Sequence, residues 1–378
     1  MEMFDVYPVY PIEIVSGLGS VVTDANGTEY LDFYGGHAVI SIGHGHPHFV
    51  HQMTLQLNRL AFYSNSIEIP MQKELAGKLG EISGLEDYRL FLVNSGAEAI
   101  ENALKLASFH TGRKKVISFR RGFHGRTSAA VNITDNLKIQ APINKGFDSI
   151  ILEFEDFDGI EYTMVQKDVC AVVIEGIQGI GGMYEASEEF ILHVQNLCRQ
   201  TGTILILDEI QSGYGRTGQF FAYQKVPDLI PDLVTVAKGM GNGFPVGGVL
   251  IGPAFQASYG LLGTTFGGNH LACSAALAVL EVMESEDLMT NARLKGNDLC
   301  KGLTSLPGVI EVRGRGLMLG VEFDFDVKDL RKNLLFNQHL FVGSSSNPNT
   351  IRLLPPLSIS DEDVSRCLDS FRSELASS

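Results

Sequence analysis

Basic residues are scarce in this chain, long apolar runs and paired-cysteine motifs are missing, and no stretch is of low complexity. Lysine and arginine total 29 against 44 acidic residues, a net charge of −15. That deficit excludes a nucleic-acid binder, which needs a basic footprint to displace counterions from phosphates. The five cysteines (Cys170, Cys198, Cys273, Cys300 and Cys367) are odd in number, widely spaced and form no C-x-x-C. Cys170 falls within an apolar stretch, where a buried, reduced thiol is expected. No apolar run reaches the ~18 residues of a membrane span, and no N-terminal stretch joins a basic region to an apolar one. A reducing cytoplasm is the expected compartment.

What is present is a chain of 378 residues with 44% hydrophobic content, enough for a substantial core and more than one domain. From residue 85 to 255 short apolar runs alternate with amphipathic segments. The runs are Arg89–Val93, Lys115–Phe119, Ser149–Glu153, Val169–Ile174, Thr203–Leu207, Leu233–Ala237 and Gly247–Ile251. They are continuous rather than alternating, as strands buried on both faces of a mostly parallel sheet must be. Helical periodicity over Ala97–Phe109 and Glu188–Arg199 supplies the cover. The expected fold is α/β, a doubly wound domain of about seven strands. A helix over His270–Glu286 leads into further strands at Val309–Val312, Met318–Phe323 and Thr350–Leu354. The predicted organisation is a large domain over residues 46–268, with a smaller α+β one drawn from both ends, 1–45 and 269–378.

Two charged residues stand at ends of these strands. Leu233-Val-Thr-Val-Ala-Lys-Gly-Met-Gly-Asn-Gly243 ends in Lys238 among glycines, and Thr203-Ile-Leu-Ile-Leu-Asp208 delivers Asp208. A lysine amine beside an aspartate suits pyridoxal 5′-phosphate. The amine condenses with the cofactor's aldehyde, and the carboxylate keeps the pyridinium nitrogen protonated so that the ring draws in electrons.

Other segments have two readings each. Asn94-Ser-Gly-Ala-Glu-Ala99 spells a capping box, with Ser95 as N-cap and Glu98 returning to its amide; the same amides can hold a phosphate. Gly213-Tyr-Gly-Arg-Thr-Gly218 matches G-x-G-x-x-G, but it comes late in the sheet and is followed by Pro227 and Pro231, so a dinucleotide site is not expected. His37, His44, His46, His48 and His51 alternate in part with Gly43, Gly45 and Pro47. That spacing predicts a tight loop, with no carboxylate or cysteine nearby in sequence and so no metal. Phe123 in Phe123-His-Gly-Arg-Thr127 is either packing or the cover of a planar cofactor. Arg126 is either solvated or a clamp for a substrate carboxylate. Arg352, inside the apolar Thr350-Ile-Arg-Leu-Leu354, needs an anionic partner, structural or substrate.

Together these motifs resemble the fold-type I, class III (ornithine-type) aminotransferases over nearly the whole chain. Asp208-Glu-Ile-Gln-Ser-Gly-Tyr-Gly-Arg-Thr-Gly218 and Ala237-Lys-Gly-Met-Gly241 are the most specific segments. The resemblance implies a fold-type I pyridoxal-phosphate transferase in which Lys238 carries the cofactor and shuttles a proton. Asp208 pairs with the pyridine nitrogen, Gln211 bonds the phenolic oxygen and Phe123 stacks on the ring. Ser95, Gly96 and Ala97 take the phosphate, while His124, Glu175, Glu209 and Ile210 complete the cofactor's surroundings. Thr265 reaches the phosphate held by a partner subunit, making a homodimer with shared sites. Thr264, Arg126 and Arg352 meet substrate. The implied reaction moves the terminal amine of an N-acylated ornithine to 2-oxoglutarate in arginine biosynthesis, with N-acetylornithine as donor and N-succinylornithine as its rival.

Two positions depart from the family pattern. Glu175-Gly-Ile-Gln-Gly-Ile-Gly-Gly182 has Ile180 where a glutamate is usual, so Arg352 is expected to lack an intramolecular partner. His37 replaces a usually aliphatic residue near the substrate entrance. Carrier-linked lysine or another ω-amino acid is an alternative substrate, and an aminomutase, racemase or decarboxylase is an alternative chemistry. A non-enzymatic α/β ligand-binding protein is disfavoured, because Lys238 has no evident packing role.

Overall fold

The structure is a computed structural model and describes residues 1–376. The chain opens with β1 (Ile14–Leu18), β2 (Val21–Asp24) and β3 (Glu29–Phe33). It continues through β4 (Arg89–Val93), β5 (Lys115–Phe119), β6 (Ser149–Leu152), β7 (Val169–Glu175), β8 (Ile204–Asp208), β9 (Leu233–Val236) and β10 (Gly247–Ile251). It closes with β11 (Val309–Arg315), β12 (Met318–Phe323), β13 (Leu340–Ser344) and β14 (Thr350–Leu353).

The central strands form one seven-stranded sheet in the order β4-β10-β9-β8-β7-β5-β6, parallel except for β10. Every residue of β7, β8 and β9 is buried. Alternate side chains of these strands enter two different cores. Val172, Ile174, Leu205 and Leu207 pack with Phe190 and Val194 of the helix Glu188–Thr201. Ala171, Val173, Ile204 and Ile206 pack with Ala99, Ile100 and Ala103 of the helix Gly96–Thr111. A strand covered on both sides has no use for polar alternation, hence the continuous apolar runs. Both helices stop at a left-handed glycine, Gly112 (φ 67°) and Gly202 (φ 64°).

A second seven-stranded sheet has the order β1-β2-β3-β13-β14-β12-β11. Strands from the two chain ends meet in it where β13 runs parallel to β3. β13 has no counterpart among the expected strands, because its five residues are interrupted by Gly343 and follow directly on the helix Lys328–Asn337.

Buried Arg216 ties the loop after β8 to this second region. Its Nη1 donates to the carbonyls of Leu317 (3.3 Å) and Pro355, and Nη2 donates to that of Ile40 (3.3 Å). The near-match Gly213–Gly218 is therefore a structural knot of turns and opens no helix. Close by, Gly296 of the helix Leu288–Thr304 faces the Gly316 carbonyl so tightly that an added Cβ would lie 2.0 Å from its oxygen. Gly296→Ala should therefore push the helix off its seat and lower stability by about 1–3 kcal/mol, the usual cost of overpacking. A denaturant melt of the variant that matches the parent would show that this contact is slack.

Candidate active site

The carboxyl ends of three adjacent parallel strands bring the chemistry together. Glu175 ends β7, Asp208 ends β8 in register with it, and Lys238 stands two residues beyond β9. Ligands in open α/β sheets bind at this edge. A cavity of about 440 Å³ opens there, lined by Lys238, Asp208, Glu175, Phe123, His124, Gln211, Ile210, Ser95, Gly96, Ala97 and Arg126. Ile180, Val39, Asn94 and the Gly243–Val246 turn complete the wall. Composition gave no sign of the last segment, since the glycines after Lys238 draw attention to the lysine and not to Phe244 and Pro245.

Electrostatics follow from burial. Desolvation pulls the Lys238 amine down to about 8, although Asp208 and Glu175 work against it, and Arg352 adds to the drop. No carboxylate lies within ion-pair distance of Lys238 among the described residues, because both neighbours are engaged elsewhere. Asp208 Oδ2 meets His124 Nδ1 at 2.7 Å, and Asp208 Oδ1 accepts from the Ile210 amide at 3.1 Å. Glu175 accepts from the amides of Phe123 (2.9 Å) and Gly179 (3.1 Å). Burial lifts the Glu175 carboxyl to about 7 against the pull of His124. Burial disfavours a charged His124 ring, but the hydrogen bond to Asp208 and the two carboxylate charges outweigh it and raise its pKa.

Above the strands, the helix Gly96–Thr111 points its N-terminus into the cavity. The amides of Gly96 and Ala97 have no intrahelical acceptor and none elsewhere among the described residues. Gly96 is required here, since a Cβ would sit 2.9 Å from the Ile210 side chain. The capping box differs from the expected one by a residue. Ser95 Oγ accepts from the Glu98 amide at 3.2 Å, but Glu98 Oε2 returns to the amide of Asn94 (2.9 Å) and to the Ser95 hydroxyl (3.0 Å). With its hydroxyl facing Glu98, Ser95 leaves the two backbone amides as the open anion donors.

Four residues expected in the site line no part of this cavity: Glu209, Thr264, Thr265 and Arg352. Glu209 turns away: its carboxylate takes the Ser212 hydroxyl (2.6 Å) and the amides of Ala222 (3.0 Å) and Tyr223 (2.9 Å), so it braces the next turn and lines no part of the cavity. Thr264 lines a neighbouring depression and accepts from Gly267 N (3.1 Å) and Asn94 Nδ2 (3.4 Å). Thr265 is exposed and outside both.

Arg352, 1% exposed, has no carboxylate partner among the described residues, but it is not free of partners as expected. It donates to the Ser344 carbonyl through Nε and to Gln211 Oε1 (3.4 Å) through Nη1. The Gln211 amide nitrogen in turn donates to the His37 carbonyl at 3.0 Å.

The histidines do not form one loop. His48 and His51 belong to the helix Pro47–Arg59, and His46 caps it. Distant carboxylates pair with three of them: Asp32 with His44 (2.8 Å), Glu286 with His46 (2.9 Å) and Glu281 with His48 (2.5 Å). His37 sits in a left-handed turn in which Gly35, Gly36, His37 and Ala38 have φ of 54°, 56°, 67° and 64°. For the two non-glycine residues this conformation costs roughly 1–2 kcal/mol each. Asp32 Oδ1 holds the turn by accepting from the amides of Tyr34 (3.0 Å) and Gly35 (2.8 Å). Burial, with the charges of Arg352 and Lys238, pushes the His37 ring down to about 4, so it is neutral at physiological pH.

The family model for class III aminotransferases matches residues 5–375. The chain belongs to the class III aminotransferases. It is 39% identical to the acetylornithine aminotransferase of Bacillus subtilis (strain 168), over 99% of this chain and 98% of that one. It is 40% identical to the enzyme of that name from Archaeoglobus fulgidus, over 97% and 96%. Among solved structures, the ornithine aminotransferase of Toxoplasma gondii superposes with a TM-score of 0.90 at 28% identity, covering 98% of this chain and 91% of that one. A further structure of that enzyme carries pyridoxal phosphate at partial occupancy in its active site.

With the family come an aminotransferase activity, the fold-type I architecture and pyridoxal 5′-phosphate as cofactor. The residues present fit that group. A lysine amine brought to near-neutral pKa meets an aldehyde, a carboxylate locked by His124 meets a pyridine nitrogen, and two open helix amides meet a phosphate.

A lysine with a pKa of about 8 sets a pH dependence. Only the neutral amine attacks an aldehyde, so capture of added cofactor by the cofactor-free enzyme should speed up as pH rises. The gain should be about fivefold between pH 7 and 8, levelling off by about pH 9. A rate still climbing about tenfold per unit above pH 9 would mean an ordinary, solvated lysine.

Proposed function

We propose that this enzyme moves the terminal amino group of an N-acylated ornithine, with N-acetylornithine as the first candidate, to 2-oxoglutarate, yielding the acylated semialdehyde and glutamate in arginine biosynthesis. The observation that carries the reading is the wall around Arg352. Buried Arg352 has no carboxylate partner among the described residues and reaches the cavity wall through Gln211, and Ile180 gives that wall no acid to receive a free α-ammonium. Burying such an ammonium unpaired is costly, whereas an acylated nitrogen carries no charge. The named relatives are acetylornithine aminotransferases, which agrees with this choice.

Bound pyridoxal 5′-phosphate supplies an aldehyde for the amine and a ring that draws electrons from the substrate's amine-bearing carbon. Lys238 Nζ, neutral near pH 8, takes the proton from that carbon and returns it on the other side of the exchange. Asp208 keeps the pyridine nitrogen protonated, and His124, donating to its Oδ2, holds that carboxylate in place. Gly96 and Ala97 would hold the phosphate through their amides, and Phe123, which lines the cavity, would cover one face of the ring. Arg352 and the exposed Arg126 orient substrate carboxylates.

In this reading residues 46–268 carry the cofactor, and the two ends, 1–45 and 269–378, form a smaller unit beside it. The working form is a cytoplasmic homodimer. Exposed Phe62 and Phe266 pack with tilted rings, centroids 5.3 Å apart, near exposed Tyr63, Ile67 and Thr265, an apolar surface that a second copy would cover. Among the described residues no helix is long and apolar enough to cross a membrane.

Side-by-side turnover of N-acetylornithine, N-succinylornithine and unmodified ornithine tests the assignment. Both acylated donors should exceed ornithine in kcat/KM by at least about tenfold, the scale of one unpaired buried charge. Ile180→Glu should narrow that gap and raise the KM for 2-oxoglutarate several-fold by giving Arg352 an internal partner. Equal use of all three donors by the parent enzyme ends this account of its specificity.

A further inference from the structure

Glu175 is buried at the end of β7, in register with Asp208, and lines the cavity, yet the chemistry assigned to Lys238 and Asp208 does not use it. Its two carboxylate oxygens serve two different loops. Oε1 accepts from the Phe123 amide at 2.9 Å, in the loop after β5, and Oε2 accepts from the Gly179 amide at 3.1 Å, in the turn after β7. Phe123 is the residue that would cover the cofactor ring, and Gly179 precedes Ile180 of the cavity wall. The two loops also meet beside this point. Gln178 Nε2 donates to the Arg120 carbonyl at 2.7 Å, and a Cβ on Gly181 would stand 2.9 Å from the Arg121 carbonyl oxygen. From the second sheet's side, the Ser346 amide donates to the Ile180 carbonyl (2.8 Å) and Arg313 Nε donates to that of Gly182 (3.0 Å). The turn has no slack: a Cβ on Gly179 would lie 1.6 Å from Gln211 Oε1.

We propose that Glu175 is a positioning residue whose carboxylate, bridging the Phe123 and Gly179 amides, holds the cover of the cofactor ring and the wall at Ile180 in one fixed relation. Each amide needs an acceptor, and an ionised carboxylate offers one on each oxygen. A side-chain amide in its place would turn its own N–H groups toward one of the two donors. Burial lifts the Glu175 carboxyl to about 7; His124 opposes the rise, Asp208 adds to it, and the two backbone amides oppose it. Lys238 and Arg352 face it as well, and its charge raises the pKa of both. At a pH where the Lys238 amine is neutral the carboxylate is therefore ionised, and both bridging bonds are made. The inference rests on the cofactor that the family brings and not on the choice of amine donor.

Two substitutions separate the charge of Glu175 from its reach. Glu175→Gln keeps the length and removes the charge. Glu175→Asp keeps the charge and draws the carboxylate back by about 1.5 Å, too far to bridge both amides. The full-length enzyme, freed of cofactor and then given pyridoxal 5′-phosphate, is followed by the visible circular dichroism of the bound cofactor and by the pH dependence of its capture. Dichroism per bound cofactor, which reports how firmly the ring is held, should fall in both variants. KM for the amine donor should rise about fivefold in both, the scale of one lost hydrogen bond. Capture should tell them apart. Without the Glu175 charge the Lys238 amine gives up its proton more readily, so Glu175→Gln should reach at pH 7 at least about twice the parent's fraction of its plateau rate. Glu175→Asp should keep the parent profile, centred near pH 8. Variants that melt lower but keep the parent's dichroism, KM and pH profile would show a role in stability alone and overturn the proposal. A pH profile that moves equally in both variants would do the same, since general distortion and not the bridge would then be the cause. Dichroism and capture need no amine donor, so a failure of the N-acylornithine reading is told apart from a failure of this one.

Discussion

The site depends on keeping a lysine amine uncharged beside two carboxylates. An ammonium within reach of Asp208 and Glu175 would be strongly stabilised, and a lysine so stabilised could not attack an aldehyde. The fold avoids this by giving each carboxylate another partner. Asp208 is bound by His124 and the Ile210 amide, and Glu175 by the amides of Phe123 and Gly179. Desolvation then wins at Lys238 and brings its pKa to about 8. His124 therefore serves the lysine as much as the aspartate: its bond to Oδ2 occupies the carboxylate that would otherwise draw a proton onto Lys238.

That balance needs the loops at the strand ends to stay in place, and they are held by bonds between remote segments. Asn242, four residues after Lys238, accepts from the amides of Ser41 (2.9 Å) and Ile42 (3.1 Å) and donates to the Gly43 carbonyl (2.9 Å). Ser41 Oγ donates to the Gly239 carbonyl at 2.7 Å. Arg216 fixes Ile40 from below through its carbonyl. The strained turn carrying His37 and the loop carrying Lys238 are thus one hydrogen-bonded unit, which is how the fold sustains four successive left-handed residues.

Much of this was legible in the sequence, for identifiable reasons. Strands such as Lys115–Phe119 and Gly247–Ile251 have the bounds their apolar runs predict, because strands buried on both faces show no ambiguity of pattern. Lys238 and Asp208 stood out as lone charges at the ends of such runs. β13 did not, since Gly343 breaks its pattern and its pairing with β3 joins residues about 300 positions apart. Glu209 was misplaced for a related reason. Its neighbour Asp208 ends a strand and faces the cavity, so the next side chain turns away, and no local signal shows that the Ala222–Tyr223 turn collects it. The histidines between 44 and 48 found their carboxylates 12 to 240 residues away, beyond anything spacing could reveal.

Specificity in such a site is set by what two successive substrates share and where they differ. A transaminase must admit an amine donor and then an oxo-acid acceptor to the same space, so a permanent charge at the wall must suit both. In the proposed reading Arg352 does, because N-acylornithine and 2-oxoglutarate each carry a carboxylate. A glutamate at position 180 would compete with both for the guanidinium, whereas Ile180 offers it no carboxylate and makes that part of the cavity wall apolar.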